Sequence, residues 1–405
     1  MTEKRVLHFV RKSSQLKASF ICNQLSNHAE YIPYIIFRKK VTKRNDGGFA
    51  QLNLKGFIFL DLSEDETWYE KFLFRTVKVL SGRQVKKIKQ FITANKITIC
   101  HFHYGSDCGV FYPVLRNLLI PSIVSFYGYD CSSFPKRFFG YGEIYLKNRV
   151  FKNITKVLAM SPDMKTDLIA AGCPEEKIVV HYYGTDVCRF YLLEKQFTDK
   201  DPVMILSLCS LVPQKGHLFL LKSIAKIVAW GVLNFRLRIV GTGVLENELK
   251  KFVQNNNLSS YIQFVGAIPY GENEMIREYH NADIFVHPSV VAPDGDKEGI
   301  PGTIIEAMSA ALPVISTYHA GIPYIIIHNE TGMLVNEHDI ESLSETLIKM
   351  INNPQLRKSI GLAGQYYAVE NLDLMKKEIE LEDLYQQITC DFKTETKYLD
   401  CSLSQ

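Results

Sequence analysis

Short apolar runs alternate with longer amphipathic segments along the whole chain. Runs of strand length in the first half include Arg5–Val10, Tyr31–Arg38 and Lys96–Phe102. The segment Glu66–Thr93 has a lysine-rich helical periodicity, and the alternation begins again at Val203–Leu208. Mostly apolar strands separated by helices are typical of parallel sheets covered on both faces. The pattern predicts an α/β protein made of two doubly wound, Rossmann-like domains.

The length of the chain also favours two domains. Its 405 residues exceed what one hydrophobic core usually serves, so we expect domains of roughly 200 residues each. The polar run Glu194–Asp201 has the composition of a linker. We therefore predict an N-terminal domain over residues 1–196 and a second domain that begins at residue 197.

The net charge of +4 conceals an asymmetry between the two halves. Residues 1–200 carry 31 basic and 18 acidic side chains, a balance of +13, whereas residues 201–405 carry 16 and 25, a balance of −9. A basic half suits nucleic acid, an anionic membrane or a phosphorylated acceptor. No nucleic-acid-binding motif accompanies it, so we expect an anionic membrane or acceptor and no nucleic acid. The simpler alternative is a solvated basic face.

The chain has the features of a cytoplasmic protein. No run of eighteen apolar residues occurs, and the opening MTEKRVLHFV has no apolar core followed by a cleavage site. The nine cysteines are scattered without a C-x-x-C pair, which fits a reducing compartment and disfavours a zinc site. We expect a cytoplasmic protein, with a peripheral contact to the inner face of the cell membrane as a further expectation.

The stretch His287–Val314 contains the strongest candidate chemistry. Glu298 and Glu306 stand on either side of the turn-prone run Gly299-Ile300-Pro301-Gly302, and a helical pattern begins near Thr303. The first amides of a helix lack intrahelical acceptors, and the helix dipole there favours negative charge, so this loop could hold a diphosphate on its backbone. The two carboxylates suit neutral hydroxyls better than phosphate. A sugar nucleotide supplies both groups.

The spacing of the two glutamates alone indicates little, because Glu337/Glu345 and Glu370/Glu378 have the same spacing. The complete string, with PSV, DGD, EGIP and EAM in this order, resembles the donor-binding motif of the family-4 retaining glycosyltransferases. Its DGDxEGIP form is similar to the branch that builds bacterial exopolysaccharide and lipopolysaccharide, including colanic-acid-type repeat units. The resemblance extends, with gaps, from about Arg5 to about Gln387.

This resemblance implies the GT-B fold, in which two Rossmann-like domains face a central cleft. It implies a donor domain over residues 197–372 and a final helix, 373–392, that crosses back to the first domain. The implied activity moves a sugar from a UDP- or GDP-linked donor to a hydroxyl of a lipid-linked oligosaccharide or growing polysaccharide, with retention. We expect no metal, because a lysine and helix amides stabilise the diphosphate.

The resemblance assigns several further residues to the donor. Lys215 and Gly216 match a K-G pair that holds the diphosphate, although Ser210 replaces the usual arginine. The glycine turns at Gly241 and Gly266 match segments at the nucleotide. By the same resemblance, the amides of Gly302 and Thr303 act with Lys215, Glu306 accepts the ribose hydroxyls, and Glu298 holds the transferred sugar. We look to Lys297 or an arginine of the first domain to replace the missing arginine.

The acceptor side is expected in the first half. The run Ser19-Phe20-Ile21 resembles the family's N-terminal motif, and Tyr127 stands in Tyr-Gly-Tyr-Asp where relatives show a histidine. A phenol is a poor general base, so we assign positioning, and no proton transfer, to Tyr127 and Asp130. His101 and His103 share one face of a strand; hydrogen-bonded histidines are the favoured interpretation over a metal site. His103 is a second acceptor-side candidate.

Two questions remain open at this level. The interleaved aromatic and basic side chains of 134–156 suit either an interfacial membrane contact or core aromatics below a solvated basic face. The donor motif also allows a UDP-sugar epimerase of the same fold or a degenerate sugar-nucleotide-binding module. The E-G-I-P context disfavours the epimerase, and the replacements at Ser210 and Tyr127 keep the module open.

Overall fold

A computed structural model describes residues 3–41, 56–116, 118–197 and 202–403 of the chain. The chain divides into two compact units. Residues up to Tyr183, together with those from Met375 onward, form the N-terminal unit, and Gly184–Leu374 form the C-terminal unit. The end of the predicted linker, residues 198–201, lies outside the described residues.

The N-terminal unit contains a seven-stranded parallel sheet in the order β3-β2-β1-β4-β5-β6-β7. Its strands are β1 (Lys4–Lys12), β2 (Tyr31–Lys39), β3 (Ile58–Asp61), β4 (Ile99–His103), β5 (Ser122–Ser125), β6 (Lys156–Ala159) and β7 (Ile178–Val180). Its helices are α1 (Ser19–Asn27), α2 (Trp68–Val77), α3 (Gly82–Ala94), α4 (Gly105–Cys108), α5 (Tyr112–Leu115), α6 (Arg137–Leu146) and α7 (Pro162–Ala170).

The C-terminal unit contains a six-stranded parallel sheet in the order β10-β9-β8-β11-β12-β13. Its strands are β8 (Val203–Leu208), β9 (Phe235–Val240), β10 (Ile262–Gly266), β11 (Ile284–His287), β12 (Val314–Thr317) and β13 (Met333–Val335). Its helices are α8 (Val187–Phe190), α9 (His217–Ala229), α10 (Glu246–Asn255), α11 (Asn273–Asn281), α12 (Gly302–Ser309), α13 (Ile340–Ile351) and α14 (Pro354–Asn371).

Both sheets have a point where the strand order reverses, at β1/β4 and at β8/β11. All residues of β11 and β12 are buried, as expected for strands covered on both faces. Two Rossmann-like sheets are therefore present, as the alternation of apolar runs predicts. In such sheets ligands bind beyond the carboxyl ends of the strands at the reversal point. This rule directs attention to the segments that follow β1, β4, β8 and β11.

The lysine-rich helical pattern over Glu66–Thr93 does not form one continuous helix. Two helices, α2 and α3, occupy this stretch, and Lys78 ends the first in the left-handed conformation with φ 54°. The Ser81 hydroxyl then caps the second helix by accepting from the Gln84 amide, and the Ser81 amide donates to Oε1 of Gln84. This reciprocal cap stabilises a separate helix start.

The last helix, α15 (Leu374–Leu403), belongs almost entirely to the N-terminal unit. The Glu382 carboxylate accepts from the backbone amides of Glu30 and Tyr31 at 3.0–3.1 Å. Two amides at the start of β2 are thereby satisfied by a side chain of the last helix. Among the described residues, no helix is both long enough and apolar enough to cross a membrane.

Candidate functional site

In the C-terminal unit, the chain leaves β8 through a tight turn that carries Lys215. Gly216 ends the turn with φ 68°, and a Cβ atom at this position would lie 1.8 Å from the carbonyl oxygen of Pro288. Only glycine fits such a left-handed position against another backbone. The amide of Val290 also donates to the carbonyl of Gln214 at 2.9 Å. The β8 turn is therefore fixed against the segment that follows β11.

Lys215 and Glu298 form an ion pair, with 2.6 Å between Nζ and Oε1. Both side chains are largely covered, with 16% and 11% of their surfaces exposed. Burial lowers the pKa of Lys215, but Glu298 and other nearby acidic groups outweigh it and the net pKa is raised. The ammonium group is therefore retained near neutral pH. Two residues predicted on separate motifs are thus brought into direct contact.

The backbone before α12 is held by two contacts with the segment after β12. The Glu298 amide donates to Nε2 of His319 at 3.2 Å, and the Gly321 amide donates to the carbonyl of Gly299 at 3.2 Å. His319 is itself fixed by Glu337, which lies 2.6 Å from Nδ1. The glycine-rich loop is therefore ordered by its neighbours rather than by its own side chains.

Helix α12 begins at Gly302, directly after Pro301 and the buried Ile300. The amides of Gly302 and Thr303 occupy its first two positions, where no intrahelical acceptor exists. The hydroxyl of Thr303 lies 3.4 Å from Nδ1 of the buried His287. The predicted diphosphate-binding amides are therefore placed at a helix N-terminus beside the end of β11, a position that favours anions.

Glu306 lies one turn into α12 and is buried, with 3% exposure. Its Oε2 accepts from the Tyr279 hydroxyl at 2.6 Å, while Oε1 lies 3.8 Å from the place of a Cβ on Gly302. Burial raises the pKa of Glu306 to about 7, although the hydroxyls of Tyr279 and Tyr270 and the charge of Arg189 oppose the shift. One carboxylate oxygen of Glu306 thus lies near the start of α12. An acceptor for ligand hydroxyls bound at this helix start would need this position.

Two glycine turns complete this edge of the sheet. Gly241 follows β9 with φ 137°, its amide donates to the carbonyl of Gly266 at 2.8 Å, and a Cβ atom on it would meet the carbonyl oxygen of Cys209 at 2.0 Å. Gly266 has φ 91° and open space where its Cβ would be. Ser210 is exposed at the end of β8. The predicted nucleotide-side glycines therefore lie together with the β8 turn.

In the N-terminal unit, Tyr127 follows β5 and is partly exposed. Its hydroxyl lies 2.7 Å from Nδ1 of His103, at the end of β4. The buried Asp130 accepts from the amides of Tyr127 and Gly128 through Oδ1, and from the Gly105 amide through Oδ2 at 2.7 Å. Burial raises the pKa of Asp130 to about 6 despite these amides. Asp130 therefore fixes the backbone that carries Tyr127.

Ser19 is the first residue of α1 and is partly exposed. The ring of its neighbour Phe20 lies 4.4 Å from the ring of Tyr127 and 5.2 Å from that of Tyr183. The predicted acceptor-side residues Ser19, His103 and Tyr127 thus occupy one neighbourhood, at the carboxyl edge of β1, β4 and β5.

A group of buried histidines lies behind this neighbourhood. His8, His101 and His103 offer ring nitrogens that all lie within 4.8 Å of one another. Every one of these six nitrogens has a hydrogen-bond partner at 2.6–3.0 Å: another histidine, or a hydroxyl of Ser125, Tyr127 or Tyr385. A metal ion would have to break these bonds, so the favoured interpretation of hydrogen-bonded histidines agrees with the geometry.

Sequence reasoning missed the residues that support the site from other motifs. Tyr279 lies on α11 within a helical pattern that carries no distinguishing residue, and His319 lies in the loop after β12. His28 and Glu378, which approach each other to 2.7 Å, are 350 positions apart.

Two families of known proteins match the chain. Residues 66–189 match the family described as Glycosyltransferase Family 4, and residues 192–366 match the family described as Glycosyl transferases group 1. The two matches cover most of the described N-terminal and C-terminal units.

Two relatives illustrate the similarity in sequence. The amylovoran biosynthesis glycosyltransferase AmsK of Erwinia amylovora is 32% identical over 66% of this chain and 66% of its own length. The putative colanic acid biosynthesis glycosyltransferase WcaL of Salmonella typhimurium is 33% identical over 49% of this chain and 48% of its own length. The matches therefore span about half to two thirds of these relatives.

Among solved structures, HepE of Anabaena in complex with UDP superposes with a TM-score of 0.74 at 16% identity. The superposition covers 95% of this chain and 100% of the other. Likeness at this level of identity concerns the fold, and it agrees with the two parallel sheets described above.

Proposed function

This chain carries the two glycosyltransferase domains of the GT-B fold, and we propose that it moves a sugar from a nucleotide-sugar donor to an acceptor hydroxyl with retention of anomeric configuration. Its relatives are named for polysaccharide biosynthesis, which supports a lipid-linked oligosaccharide or growing polysaccharide as the acceptor. The observation that carries the proposal is the Lys215–Glu298 pair beside the start of α12.

Binding of the donor would replace the ion pair between Lys215 and Glu298 by contacts with the donor. A diphosphate attracts the ammonium of Lys215 and the free amides of Gly302 and Thr303, and Glu298 is then released to accept hydroxyls of the transferred sugar. Glu306 would accept the ribose hydroxyls. These fixed positive groups would stabilise the leaving diphosphate. We therefore propose that transfer requires no metal ion.

Retention in this scheme requires no protein nucleophile. The departing phosphate oxygen would take the proton of the acceptor hydroxyl, while Tyr127 positions that hydroxyl and Asp130 fixes the Tyr127 backbone. The relatives' names favour transfer over the epimerase and over a binding module without activity. UDP in HepE supports a uridine donor; GDP-linked donors remain part of the test.

The test is incubation with radiolabelled UDP- and GDP-sugars, with lipid-linked and polysaccharide acceptors and in EDTA. We expect labelled product from one donor, and at least a tenfold loss in each of Glu298→Ala and Glu306→Ala with an unchanged circular dichroism spectrum. Epimerised donor without acceptor indicates the epimerase, and binding without turnover indicates the module. Wild-type activity in both variants would remove the site assignment.

We also propose that the N-terminal unit contacts an anionic membrane on its cytoplasmic side. Helix α6 exposes Phe139 and Tyr141, and α2 exposes Trp68 and Phe72. The end of α2 lies close to the segment after α6, because Arg149 donates to the carbonyls of Val77 and Lys78 at 3.4–3.5 Å. Exposed aromatic rings among basic side chains suit the headgroup layer. Other aromatics of 134–156, such as Phe151, are core residues, so the membrane contact is proposed only for the exposed rings of this stretch.

Flotation with vesicles of phosphatidylglycerol and phosphatidylcholine tests this contact. Serine substitutions at four exposed basic residues should release the protein from the vesicles: Lys136, Arg137, Lys147 and Lys152. A control with the same charge change uses exposed lysines of the C-terminal unit: Lys250, Lys251, Lys349 and Lys358. Equal flotation of the two variants would contradict the proposal.

A further inference from the structure

An unbroken chain of imidazoles leads from the last helix to the hydroxyl of Tyr127. Nε2 of His28, just after α1, lies 3.0 Å from Nε2 of His8 on β1. Nδ1 of His8 lies 2.9 Å from Nε2 of His103, whose Nδ1 lies 2.7 Å from the Tyr127 hydroxyl. Each ring uses one nitrogen toward each neighbour, so the protons of the chain must all point the same way.

The outer end of the chain is anionic. Nδ1 of His28 lies 2.7 Å from Oε1 of Glu378 and 3.3 Å from Oε1 of Glu382, both on α15. The side chains of His28 and Glu378 are 1% and 2% exposed. Burial raises the pKa of Glu378 although His28 opposes the shift. Burial also acts on Glu382, but His28 and the amides of Tyr31 and Glu30 outweigh it and lower the pKa of Glu382. An ionised carboxylate, which only accepts, therefore remains beside His28, so Nδ1 carries a proton in either charge state and Nε2 is the nitrogen that gains or loses one.

The charge of His28 therefore fixes the direction of every later bond. When His28 is neutral, its Nε2 accepts from His8, His8 accepts from His103, and His103 accepts from the Tyr127 hydroxyl. When His28 gains a proton on Nε2, it donates to His8, the protons of His8 and His103 lie on Nδ1, and the Tyr127 oxygen accepts. One proton is added at His28, and Tyr127 keeps its own in both states.

We propose that His28, held by Glu378 and Glu382, sets through His8 and His103 whether the Tyr127 hydroxyl donates inward or outward. With His28 neutral, the Tyr127 oxygen is free to accept from a substrate hydroxyl. With His28 charged, Tyr127 donates its proton to a lone pair of that substrate hydroxyl. This lone pair is then less available for the transfer reaction. His28, His8 and His103 are positioning residues in this scheme. Only its catalytic consequence rests on the proposed function.

The electrostatics allow His28 alone to carry the charge. Burial lowers the pKa of His28, but Glu378 and Glu382 outweigh burial and the net pKa is raised above 6.5. Burial lowers the pKa of His8 far below its usual value and that of His103 to about 3. Both inner rings therefore remain neutral and change only their tautomers.

The other polar groups packed against the chain do not interrupt it. Toward His28, α15 also presents Tyr385, whose ring centre lies 6.1 Å away, and β4 presents His101 behind His103. Tyr385 binds Nδ1 of His101 at 2.6 Å. The Ser125 hydroxyl binds Nε2 of His101 and also lies beside the phenol of Tyr127. This side branch contains no carboxylate. The carboxyl group beside Tyr127 is that of Asp130, which accepts from the Tyr127 amide and whose pKa burial raises to about 6, so it titrates below the His28 midpoint expected above pH 6.5.

The direct test is a pH titration of the full chain labelled with 13Cζ-tyrosine and 15N-histidine, followed by nuclear magnetic resonance. Comparison with Tyr127→Phe identifies the Tyr127 signal. We expect the Tyr127 Cζ resonance to shift with the same midpoint as the His28 nitrogens, above pH 6.5, and the shift to be lost in His28→Gln. A Tyr127 resonance that stays constant while His28 titrates would overturn the proposal.

Two further variants keep the test decisive. Tyr385→Phe removes one hydroxyl from the same buried cluster but touches no link of the chain, so the coincident shift should persist. His8→Phe removes the central link, so His28 should still titrate while Tyr127 no longer responds, and this variant decides the matter if His28→Gln fails to fold. A shift of Tyr127 that survives His8→Phe would show that the chain does not transmit it.

The consequence for transfer is measured separately. If the protein has transferase activity, kcat should rise with pH through the His28 midpoint while KM for the donor stays constant. The rise in kcat should be absent in His28→Gln. A coincident shift in a protein without transferase activity would leave the relay intact and refute the proposed function. Transfer with a pH-independent kcat and a shifting Tyr127 would refute only the catalytic consequence.

Discussion

The same sheet order produces two chemically opposite edges in this protein. In the C-terminal unit the edge at β8 and β11 is charged: Lys215 faces Glu298, and the pKa of Lys215 is raised because nearby acids outweigh burial. In the N-terminal unit the edge at β1 and β4 contains neutral imidazoles beside the Arg11–Asp107 ion pair, because burial lowers the pKa values of His8 and His103. Identical topology therefore does not dictate identical chemistry.

The difference follows from what surrounds each edge. Glycine turns at Gly216 and Gly241 bring backbone close without adding side chains, so the charged pair and the helix amides remain available to an anion. Aromatic rings of Phe20, Tyr127 and Tyr183 cover the histidine edge instead. The first edge suits a diphosphate and the second a neutral hydroxyl.

Removing the charge from the C-terminal edge should have the largest effect. Lys215→Ala is expected to lower kcat for transfer about 100- to 1,000-fold, the loss typical for one preorganised donor to a developing anion. Lys226→Ala removes a partly exposed lysine of α9 in the same unit, which pairs with Glu341, and this control should retain full activity. A loss below threefold in Lys215→Ala would break the contrast between the two edges.

The buried acid behind that edge predicts a pH-dependent stability. Because folding raises the pKa of Glu306 from 4.5 to about 7, the folded state binds the proton more tightly, and stability falls as pH rises between these values. At pH 8 the free energy of unfolding is lowered by about 3 kcal/mol. Glu306→Gln keeps an acceptor for Tyr279 and should abolish this loss in urea unfolding at pH 5 and pH 8. The exposed Glu345→Gln should unfold like the wild type; an unchanged pH dependence in Glu306→Gln would refute the shift.

Adding a cation to the charged edge should have a smaller effect. Ser210→Arg restores the arginine expected at this exposed position, and a charge-assisted bond of about 1.5 kcal/mol would tighten UDP binding roughly tenfold. Ser259→Arg adds the same charge in the turn that precedes β10, at the amino edge of the sheet. Isothermal titration calorimetry should separate them, and equal affinities would show that Ser210 does not face the diphosphate.

The fold and the C-terminal edge were largely predictable from sequence. Apolar runs without strict alternation indicated buried parallel strands, and both sheets follow. The loop from Glu298 to Thr303 was predicted to feed a helix, and α12 begins at Gly302. These features depend on local rules, namely strand composition, turn residues and the helix start, which act over a few positions.

The division between α2 and α3 was missed although it depends on a local feature, the cap at Ser81, because the helical periodicity of the whole stretch concealed it.

The long-range partners were not predictable from one sequence. The pairing of His28 with Glu378 and of Glu306 with Tyr279 joins residues on different elements. Such contacts arise from the arrangement of the elements, which periodicity does not specify.

The central claim is that Lys215 and the amides of Gly302 and Thr303 bind a diphosphate without a metal. Calorimetric titration of UDP and of uridine, both in EDTA, tests it in the wild type and in Lys215→Ala, with GDP and guanosine as the parallel pair. The account predicts that the diphosphate improves affinity at least 100-fold in the wild type and much less in the variant. Equal affinities for nucleotide and nucleoside in both pairs, or binding that appears only with Mg²⁺, would contradict it.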